Sequence, residues 1–385
     1  MIPYGKQSIN KADIDAVVNV LNSDYLTQGP QVPIFEQTIS NYCGSSYAVA
    51  VNSATSALHI SCLALGLSKD DWLWTSPNSF VASSNCGLFC QAKIDFVDID
   101  LETYNMCPVQ LEKKLIQAKR ANNLPKIIIP VHFAGQSCDM QKIYELSKDY
   151  GFKIIEDASH AIGSRYFDKN VGNCNYSDIT VFSFHPVKII TTAEGGVTTT
   201  NSKDLANKMR LYANHGVTRD QNQMDKPSEG SWYYEQVELG FNYRMTEIQA
   251  ALGISQMQRI DNFISKRHML KERYDFLLEK LPLKQPFQSI NCYSALHLYP
   301  IQIELDKVKI TRKQIFNELR AQGIGVNIHY IPIHTQPYYK KLGFKNGDFP
   351  NSESFYNQSI TIPLYPDMTF KQQDEVVLSL NKILQ

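Results

Sequence analysis

Residues 179–200 read ITVFSFHPVKIITTAEGGVTTT, and they are the most informative segment of the chain for its architecture. An apolar run ends near Phe184, a short turn carries Lys188, and Gly195 and Gly196 lead into a second run rich in Val and Thr. Runs of this length and composition are typical of buried β-strands. The stretch therefore predicts two strands of one sheet, with Lys188 in the turn beyond the carboxyl end of the first.

The same pattern extends back to residue 47, where short Val- and Ile-rich runs alternate with helical stretches. The predicted strands cover residues 47–51, 71–76, 94–97, 126–131, 153–156, 179–184 and 196–200, and the predicted helices cover residues 55–67, 81–91 and 140–150. This alternation indicates βαβ units and a mostly parallel sheet covered on both faces. Ligands bind such sheets at the carboxyl ends of the strands.

The second part of the chain has a different pattern. We predict one long helical region over 246–281, interrupted weakly by Gly253, and then a strand, a helix, an extended piece and a final helix at residues 297–303, 312–322, 325–330 and 370–384. The fold class is thus α/β, with a large domain over residues 1–250 and a smaller α+β domain over residues 251–385. The polar stretch 218–229 is predicted to be a mobile surface loop.

Composition excludes several classes of function. The 385 residues include 38 Lys plus Arg and 38 Asp plus Glu, so no net field attracts nucleic acid or an anionic membrane. The eight cysteines form no CxxC pair, which favours buried thiols in a reducing compartment over a metal site. The sequence shows neither a signal-peptide pattern nor an apolar run of about 18 residues, and we expect a cytoplasmic protein.

Two residues at predicted strand ends carry the main chemical hypothesis. Lys188 alone would be an ordinary surface residue, but at a sheet edge it could be desolvated and act as a nucleophile. Asp157 alone would be a helix N-cap, but at the end of a strand its carboxylate could pair with a protonated ring nitrogen.

Two further segments complete the pattern. Residues 52–58 (NSATSAL) join a strand to a helix, and the free N–H groups of such a turn either bind phosphate or are capped by Ser and Thr. Ser183 could add a hydroxyl to that phosphate site. Phe80 is either a core residue or a ring that stacks on a cofactor. A lysine, an acidic partner, a phosphate turn and a stacking ring together predict a pyridoxal-phosphate (PLP) site.

These segments resemble the sugar-nucleotide aminotransferases of the DegT/DnrJ/EryC1/StrS family, which belong to the fold-type-I PLP enzymes. The resemblance runs from residue 2 to residue 364, and its carriers are residues 26–30, 52–58, 97–100, 131–136, 156–161, 183–188, 194–196 and 240–245. Residues 298–300 and 326–333 add a closer similarity to the members that act in pseudaminic acid biosynthesis.

The resemblance implies a role for each matching residue. Lys188 would bind PLP covalently and Asp157 would bind its ring nitrogen. The remaining cofactor contacts would come from Ala54, Thr55, Ser56, Phe80, His160 and Ser183, and from Asn242 of a neighbouring subunit in a homodimer with shared sites. The nucleotide-sugar pocket would be lined by Tyr4, Tyr25, Leu26, Thr27, His329 and Tyr330. The amino donor would be L-glutamate.

The chain departs from many relatives at two positions. Ala54 stands where many have glycine, so the turn must avoid a positive φ there or tolerate its cost. His160 replaces a glutamine. Lys188, which the sugar dehydratase branch lacks, is retained and favours amino transfer over dehydration.

The sequence leaves two residue roles and the identity of the substrate open. Arg244 could bind a substrate carboxylate or phosphate, or it could form a structural salt bridge. His215 has no assigned role. The resemblance implies amino transfer to C4 of a UDP-linked 4-keto-6-deoxy-N-acetylhexosamine, and a GDP- or dTDP-linked keto sugar is the alternative substrate. A non-catalytic regulatory homologue is the rival from another class.

Overall fold

The computed structural model describes residues 1–384 and is built around a seven-stranded sheet. Its strands are β1 (Tyr47–Val51), β2 (Trp72–Thr75), β3 (Lys93–Phe96), β4 (Ile127–Ile129), β5 (Lys153–Asp157), β6 (Ile179–Ser183) and β7 (Gly196–Thr200). Their order is β1-β7-β6-β5-β4-β2-β3, and the five strands from β6 to β3 run parallel. β7 is antiparallel to both of its neighbours, β6 and β1. The predicted mostly parallel sheet is confirmed.

Thirteen α-helices surround and follow this sheet among the described residues. They are α1 (Lys11–Leu21), α2 (Gln31–Cys43), α3 (Ala54–Ala64), α4 (Ala82–Phe89), α5 (Pro108–Arg120), α6 (Met140–Tyr150), α7 (Lys203–Ala213), α8 (Glu247–Met257), α9 (Ile260–Leu278), α10 (Arg312–Ala321), α11 (Pro337–Lys340), α12 (Pro350–Gln358) and α13 (Phe370–Leu384). None of the helices within residues 1–384 has the length and apolar character that a membrane crossing requires.

A second, antiparallel sheet lies in the last third of the chain. It consists of β8 (Leu283–Lys284), β9 (Tyr299–Ile303) and β10 (Ser359–Ile362), with β9 in the centre. Shorter strand pieces form two further small sheets at Arg165–Tyr166, Lys169–Asn170 and Cys292–Tyr293, and at Val217–Thr218 and Glu235–Gln236.

The hydrophobic clusters divide within α9. Phe263 and Ile264 pack with β1, β6 and β7, whereas Leu270 and Tyr274 pack with the second sheet and α13. Ile2 belongs to the second cluster, so the N-terminus returns to the C-terminal part of the chain. The boundary near residue 250 stays a prediction.

The long helix predicted over residues 246–281 is wrong in one respect, because it is two helices. The break lies at Gln258 and Arg259, where the Arg259 backbone leaves the helical region (φ −118°, ψ 4°). Gly253 does not interrupt α8. A Cβ at Gly253 would lie 2.6 Å from the Phe35 ring, so the glycine lets α8 pack closely against α2.

Two smaller predictions have different outcomes. Residues 325–330 form no strand and meet β10 only through a bridge between Asn327 and Thr361. The stretch 218–229 lies on the surface as predicted, with only Thr218 buried.

Candidate active site

A cavity of about 430 Å³ opens at the carboxyl ends of β5 and β6 and at the N-terminus of α3. Residues from both halves of the chain line it: Tyr4, Ser53, Ala54, Thr55, Leu58, Ser79, Phe80, Ala82, Ser83, Val131, Asp157, Ser159, His160, Ser183, His185, Val187, Lys188, Glu194, His297, Asn327, His329 and Tyr330. Ten of the fifteen residues predicted for the site are therefore brought together by one chain.

Lys188 lies in the turn between β6 and β7. Its backbone N–H donates to His185 at 2.9 Å, and the Thr192 N–H donates to Phe184 at 3.0 Å and closes the turn. Burial lowers the pKa of the Lys188 amine to about 8, although the negative charge of Asp157 opposes the change. About a tenth of this amine is thus uncharged and nucleophilic at pH 7, far more than for an ordinary lysine with a pKa of about 10.4.

Asp157 ends β5, and its carboxylate is held by two serines. Oδ1 accepts hydrogen bonds from the Ser159 backbone N–H at 3.1 Å and from its hydroxyl at 2.6 Å. Oδ2 accepts one from the Ser83 hydroxyl at 2.6 Å, and Ser83 in turn lies 2.6 Å from the hydroxyl of Ser79. Oδ2 therefore keeps a lone pair for a cationic N–H in the cavity.

The turn before α3 offers unpaired donors. Ser53 caps the helix by accepting from the Ser56 N–H at 3.1 Å, and the Ala57 N–H donates to the Ser53 carbonyl at 3.0 Å. The N–H groups of Ala54 and Thr55 make no hydrogen bond within the described residues. Two free N–H groups at the positive end of a helix fit a phosphate group.

Two details of this turn follow from its packing. Ala54 is already helical and does not adopt a positive φ, so alanine costs nothing there. A Cβ on Gly196 would lie 2.5 Å from the backbone of Ser53, so only glycine at the start of β7 lets the turn approach the sheet. Ser56 does not line the cavity, because it is buried and its hydroxyl donates to Asn52 at 2.7 Å.

Aromatic side chains border the same cavity. The Phe80 ring is 60% exposed at its rim, although it packs near Tyr330 with ring centroids 6.4 Å apart. Such an exposed ring favours a flat ligand that can stack on it. Tyr4 lies 5.5 Å from the His329 ring.

Three histidines face Lys188 in the interior. Burial, together with the nearby Lys188, holds the pKa of His160 and His297 well below the ordinary value and lowers that of His329 to about 3. All three are therefore neutral at physiological pH. Four further residues of the cavity were not predicted. No local motif marks His297 or Ser83, whereas Ser159 and Asn327 lie within the motifs at residues 156–161 and 326–333, which gave neither of them a role.

Five predicted residues lie outside the cavity formed by one chain. Besides Ser56, these are the exposed residues Tyr25, Leu26, Thr27 and Asn242. Tyr25 borders a separate groove beside α1 and α8. The prediction that Tyr25, Leu26 and Thr27 line the pocket is thus not met within a single chain, since their segment bonds instead to Thr246 and Glu247.

Arg244 and His215 lie outside the cavity of Lys188, and each forms a hydrogen bond within the protein. Arg244 lies in another cavity and donates to Asn214 Oδ1 at 2.6 Å, so within residues 1–384 it forms no salt bridge and does not reach the cavity of Lys188. His215 adopts φ 60° in a turn, where its N–H donates to the carbonyl of Phe241 at 2.9 Å.

Glu156, next to Asp157, forms a buried pair that supports the site. His132 accepts from the Cys138 N–H at Nδ1, so its Nε2–H donates to Glu156 at 2.7 Å. Burial raises the pKa of the Glu156 carboxyl, but hydrogen bonds from His132, Ser177 and Thr180 outweigh burial and leave this pKa below its ordinary value.

Replacement of Glu156 with glutamine is expected to lower the free energy of unfolding by about 2–3 kcal/mol, because it removes the charge from a buried, fully bonded group. Since the folded-state pKa is lowered, this contribution is present above the unfolded-state pKa of about 4.3 and is lost as pH falls through the folded-state value. Urea unfolding from neutral pH down to about pH 3 measures both effects, because this range extends below the unfolded-state pKa. The exposed Glu145→Gln variant is the control, and equal stability of the two variants would contradict the prediction.

Comparison with known proteins decides the family. The model of the DegT/DnrJ/EryC1/StrS aminotransferase family matches residues 7–381. The chain is 36% identical to the spore coat polysaccharide biosynthesis protein SpsC of Bacillus subtilis and 36% identical to the UDP-4-amino-4,6-dideoxy-N-acetyl-beta-L-altrosamine transaminase of Campylobacter jejuni. Both alignments cover all of this chain, with 97% and 98% of the respective relatives. The chain belongs to the DegT/DnrJ/EryC1/StrS aminotransferase family.

Solved structures support the fold of this aminotransferase. Helicobacter pylori PseC, an aminotransferase involved in the biosynthesis of pseudoaminic acid, superposes with a TM-score of 0.90 at 31% identity, covering 100% of this chain and 99% of that one. The PLP form of the putative sugar aminotransferase Spr1654 from Streptococcus pneumoniae gives 0.88 at 28% identity, with both chains fully covered. The predicted fold-type-I architecture is confirmed.

The aminotransferase has a donor set that fits PLP, the cofactor its family implies. Lys188 fits the aldehyde, Asp157 the ring nitrogen, and the free N–H groups of Ala54 and Thr55 the phosphate. Phe80 supplies the exposed ring face.

The lowered pKa of Lys188 predicts how the rate of PLP binding depends on pH. We expect the rate of PLP binding to the cofactor-free aminotransferase to rise with pH through a midpoint near 8, because only the deprotonated amine attacks the aldehyde. Stopped-flow absorbance across pH measures this rate. A midpoint near the ordinary lysine pKa of about 10.4 would contradict the buried environment.

Proposed function

We propose that this aminotransferase transfers the amino group of L-glutamate to C4 of a UDP-linked 4-keto-6-deoxy-N-acetylhexosamine. The product would be UDP-4-amino-4,6-dideoxy-N-acetyl-β-L-altrosamine, an intermediate for pseudaminic acid. The observation that carries amino transfer is the convergence of Lys188, Asp157 and the free N–H groups of Ala54 and Thr55 in one cavity. The two relatives named for this product and pathway support the choice of sugar.

The residues have separate tasks in this mechanism. PLP, when bound, supplies the electron sink that stabilises negative charge next to the transferred nitrogen. Asp157 holds a proton on the ring nitrogen, and Ser83 and Ser159 keep its carboxylate in place. Lys188 would hold the aldehyde of the cofactor, and as a free amine it would accept the proton that leaves the donor carbon.

Lys188 is suited to this second task because its pKa lies near the working pH. In the first half of the cycle glutamate would leave as 2-oxoglutarate. In the second half the same amine would move a proton in the opposite direction as the 4-keto sugar becomes the 4-amino sugar. The neutral imidazoles of His160, His297 and His329 surround Lys188 without adding charge that would compete for the proton.

The sugar would enter over the side of the cavity formed by Tyr4, Asn327 and His329. His329 Nδ1 lies 2.9 Å from the Thr361 hydroxyl and its Nε2 lies 3.4 Å from the Asn327 amide, so its ring is fixed from two sides. These polar groups fit the hydroxyl and amide oxygens of an N-acetylated sugar.

We further propose a homodimer that shares its active sites. Asn242 is exposed beside Asn52, next to the phosphate turn, and Tyr25, Leu26 and Thr27 are exposed away from their own cavity. In this arrangement these four residues would complete the cavity of the neighbouring subunit. This explains why one chain does not bring them to Lys188.

A substrate panel tests the proposed function. The purified enzyme is incubated with L-glutamate and with UDP-, GDP- or dTDP-linked keto sugars, and the products are identified by mass spectrometry and NMR. We expect a 4-amino sugar from the UDP-linked N-acetylated substrate. Product from a dTDP- or GDP-linked sugar alone would assign another sugar-nucleotide aminotransferase of the same family. Absence of a glutamate-dependent spectral change would favour a non-catalytic homologue.

A further inference from the structure

Tyr330 and His160 form a hydrogen-bonded pair on the wall of the cavity. The Tyr330 hydroxyl lies 3.0 Å from His160 Nε2, and the Ala134 backbone N–H donates to His160 Nδ1 at 3.3 Å. Both side chains line the cavity that contains Lys188 and Asp157. The direction of these two bonds determines what Tyr330 can do.

The Ala134 N–H fixes the tautomer of His160. A backbone N–H can only donate, so Nδ1 must present its lone pair. Burial and the nearby Lys188 keep the pKa of His160 well below the ordinary value, and the ring is neutral. Its single proton is therefore on Nε2, and Nε2–H donates to the Tyr330 oxygen.

The Tyr330 proton must consequently point away from His160. Burial raises the pKa of the Tyr330 phenol, and the negative charge of Asp157 raises it further, so the hydroxyl keeps its proton. Within residues 1–384 this proton has no acceptor. A directed and unused donor thus faces the cavity.

The structure of PLP indicates which atom takes this donor. The ring oxygen of PLP is attached next to the carbon that bears the aldehyde, on the side away from the phosphate arm. Lys188 and Asp157 mark the aldehyde and the ring nitrogen, and the phosphate turn at Ala54 and Thr55 marks the opposite side. Tyr330 and His160 line the same cavity wall as both of these anchors.

We propose that the Tyr330 hydroxyl donates a hydrogen bond to the ring oxygen of the cofactor and that His160 is the positioning residue that directs its proton there. This inference rests on the PLP chemistry of the proposed function. It assigns the tyrosine to the cofactor, whereas the family resemblance implies a contact with the sugar.

The hydrogen bond has a measurable consequence at Lys188. A donor withdraws negative charge from the ring oxygen and weakens the attraction of that oxygen for a proton on Lys188 Nζ. Without the donor, Nζ releases its proton at a higher pH. The other titratable groups lining the cavity are Tyr4, Asp157, Glu194, His160, His185, His297 and His329. Burial raises the pKa of Tyr4, so its phenol keeps its proton, and the three buried imidazoles stay neutral throughout the range of interest.

Tyr330→Phe removes only the oxygen and tests the proposal. The absorbance of the PLP-loaded enzyme is titrated with pH in the absence of substrates. We expect the midpoint pH of this titration to be about one unit higher in the variant than in the unmodified enzyme. A shift of this size is expected from the loss of one hydrogen bond to a charged oxygen. PLP affinity, measured by quenching of tryptophan fluorescence in the cofactor-free protein, should fall about tenfold.

Variants of His160 test its positioning role. An amide can accept from Ala134 and donate to Tyr330 as the neutral imidazole does, so His160→Gln should leave the midpoint unchanged. His160→Leu should raise the midpoint pH, but by less than Tyr330→Phe does. The double variant should have the same midpoint as Tyr330→Phe alone. Tyr4→Phe is the matched control, because Tyr4 lines the same cavity without a bond to His160, and its midpoint should equal that of the unmodified enzyme.

The outcomes separate this inference from the proposed function. An unchanged midpoint in Tyr330→Phe, with unmodified glutamate-dependent spectra, overturns the inference and leaves the function intact. An unchanged midpoint together with a raised KM for the sugar also overturns it and returns the hydroxyl to the sugar. If the unmodified enzyme shows no spectral change when glutamate is added, the proposed function itself is overturned.

Discussion

Replacement of Lys188 with alanine is expected to abolish covalent attachment of PLP and to slow amino transfer by about 10³-fold or more. In the proposed mechanism one amine both holds the aldehyde and carries the proton, and Lys188 is the only lysine that lines the described cavity. The loss of visible absorbance from the covalently bound cofactor measures attachment, and single-turnover conversion of glutamate measures proton transfer.

The control for this variant is Lys169→Ala, since Lys169 lies on an exposed hairpin. Borohydride reduction followed by peptide mass spectrometry should place the label on Lys188 in both the unmodified enzyme and the control. Retention of the absorbance band in Lys188→Ala, or a label on another lysine, would contradict the assignment of this residue.

Much of the central sheet could be predicted because its signals are local. The runs 47–51 and 196–200 and the helices 140–150 and 370–384 have the predicted limits. The two strands are marked by their apolar or β-branched composition, and the two helices by the spacing of their apolar residues. Helix α5 was not predicted, although Pro108 in its first turn and Lys119 and Arg120 in its last are ordinary start and stop signals.

Other features depend on residues far apart in the chain. Helix α2 has no side-chain cap of its own, and its first N–H groups donate to Glu247, more than 200 residues away. The break between α8 and α9 coincides with an ion pair from Arg259 to the buried Asp13 of α1. No window of sequence contains both partners, so neither feature could be inferred locally.

The same distinction holds for the active site. Lys188, Asp157 and the turn at Ala54 lie at predicted strand ends, and parallel strands bring such ends to one edge. His297 reaches the cavity through contacts of a loop, where its N–H donates to the Ala134 carbonyl at 2.9 Å. Asn242 and Tyr25 are exposed and do not line the cavity of their own chain. A single chain cannot test their predicted roles, because both residues are proposed to act in the active site of a neighbouring subunit.

Replacement of Asp157 with asparagine is expected to slow the glutamate half-reaction by about 10²–10³-fold while the protein stays folded. Asparagine has the same shape, and its oxygen still accepts from the Ser159 N–H and hydroxyl. Its amide N–H₂, however, takes the place of Oδ2 and donates where a carboxylate accepted from Ser83 and from the ring nitrogen. The ring nitrogen then loses its anionic partner and its proton, and the electron sink is weakened.

The Ser83→Ala variant separates charge from geometry in this test. It removes the 2.6 Å bond to Oδ2 and leaves the negative charge, so we expect a rate loss of about tenfold or less. Single-turnover absorbance measures both variants, and PLP content by alkaline release shows whether the cofactor is still bound. Equal rates for Asp157→Asn and the unmodified enzyme would mean that the ring nitrogen does not face Asp157. Equal losses in Asp157→Asn and Ser83→Ala would mean that the position of the carboxylate, rather than its charge, governs the reaction.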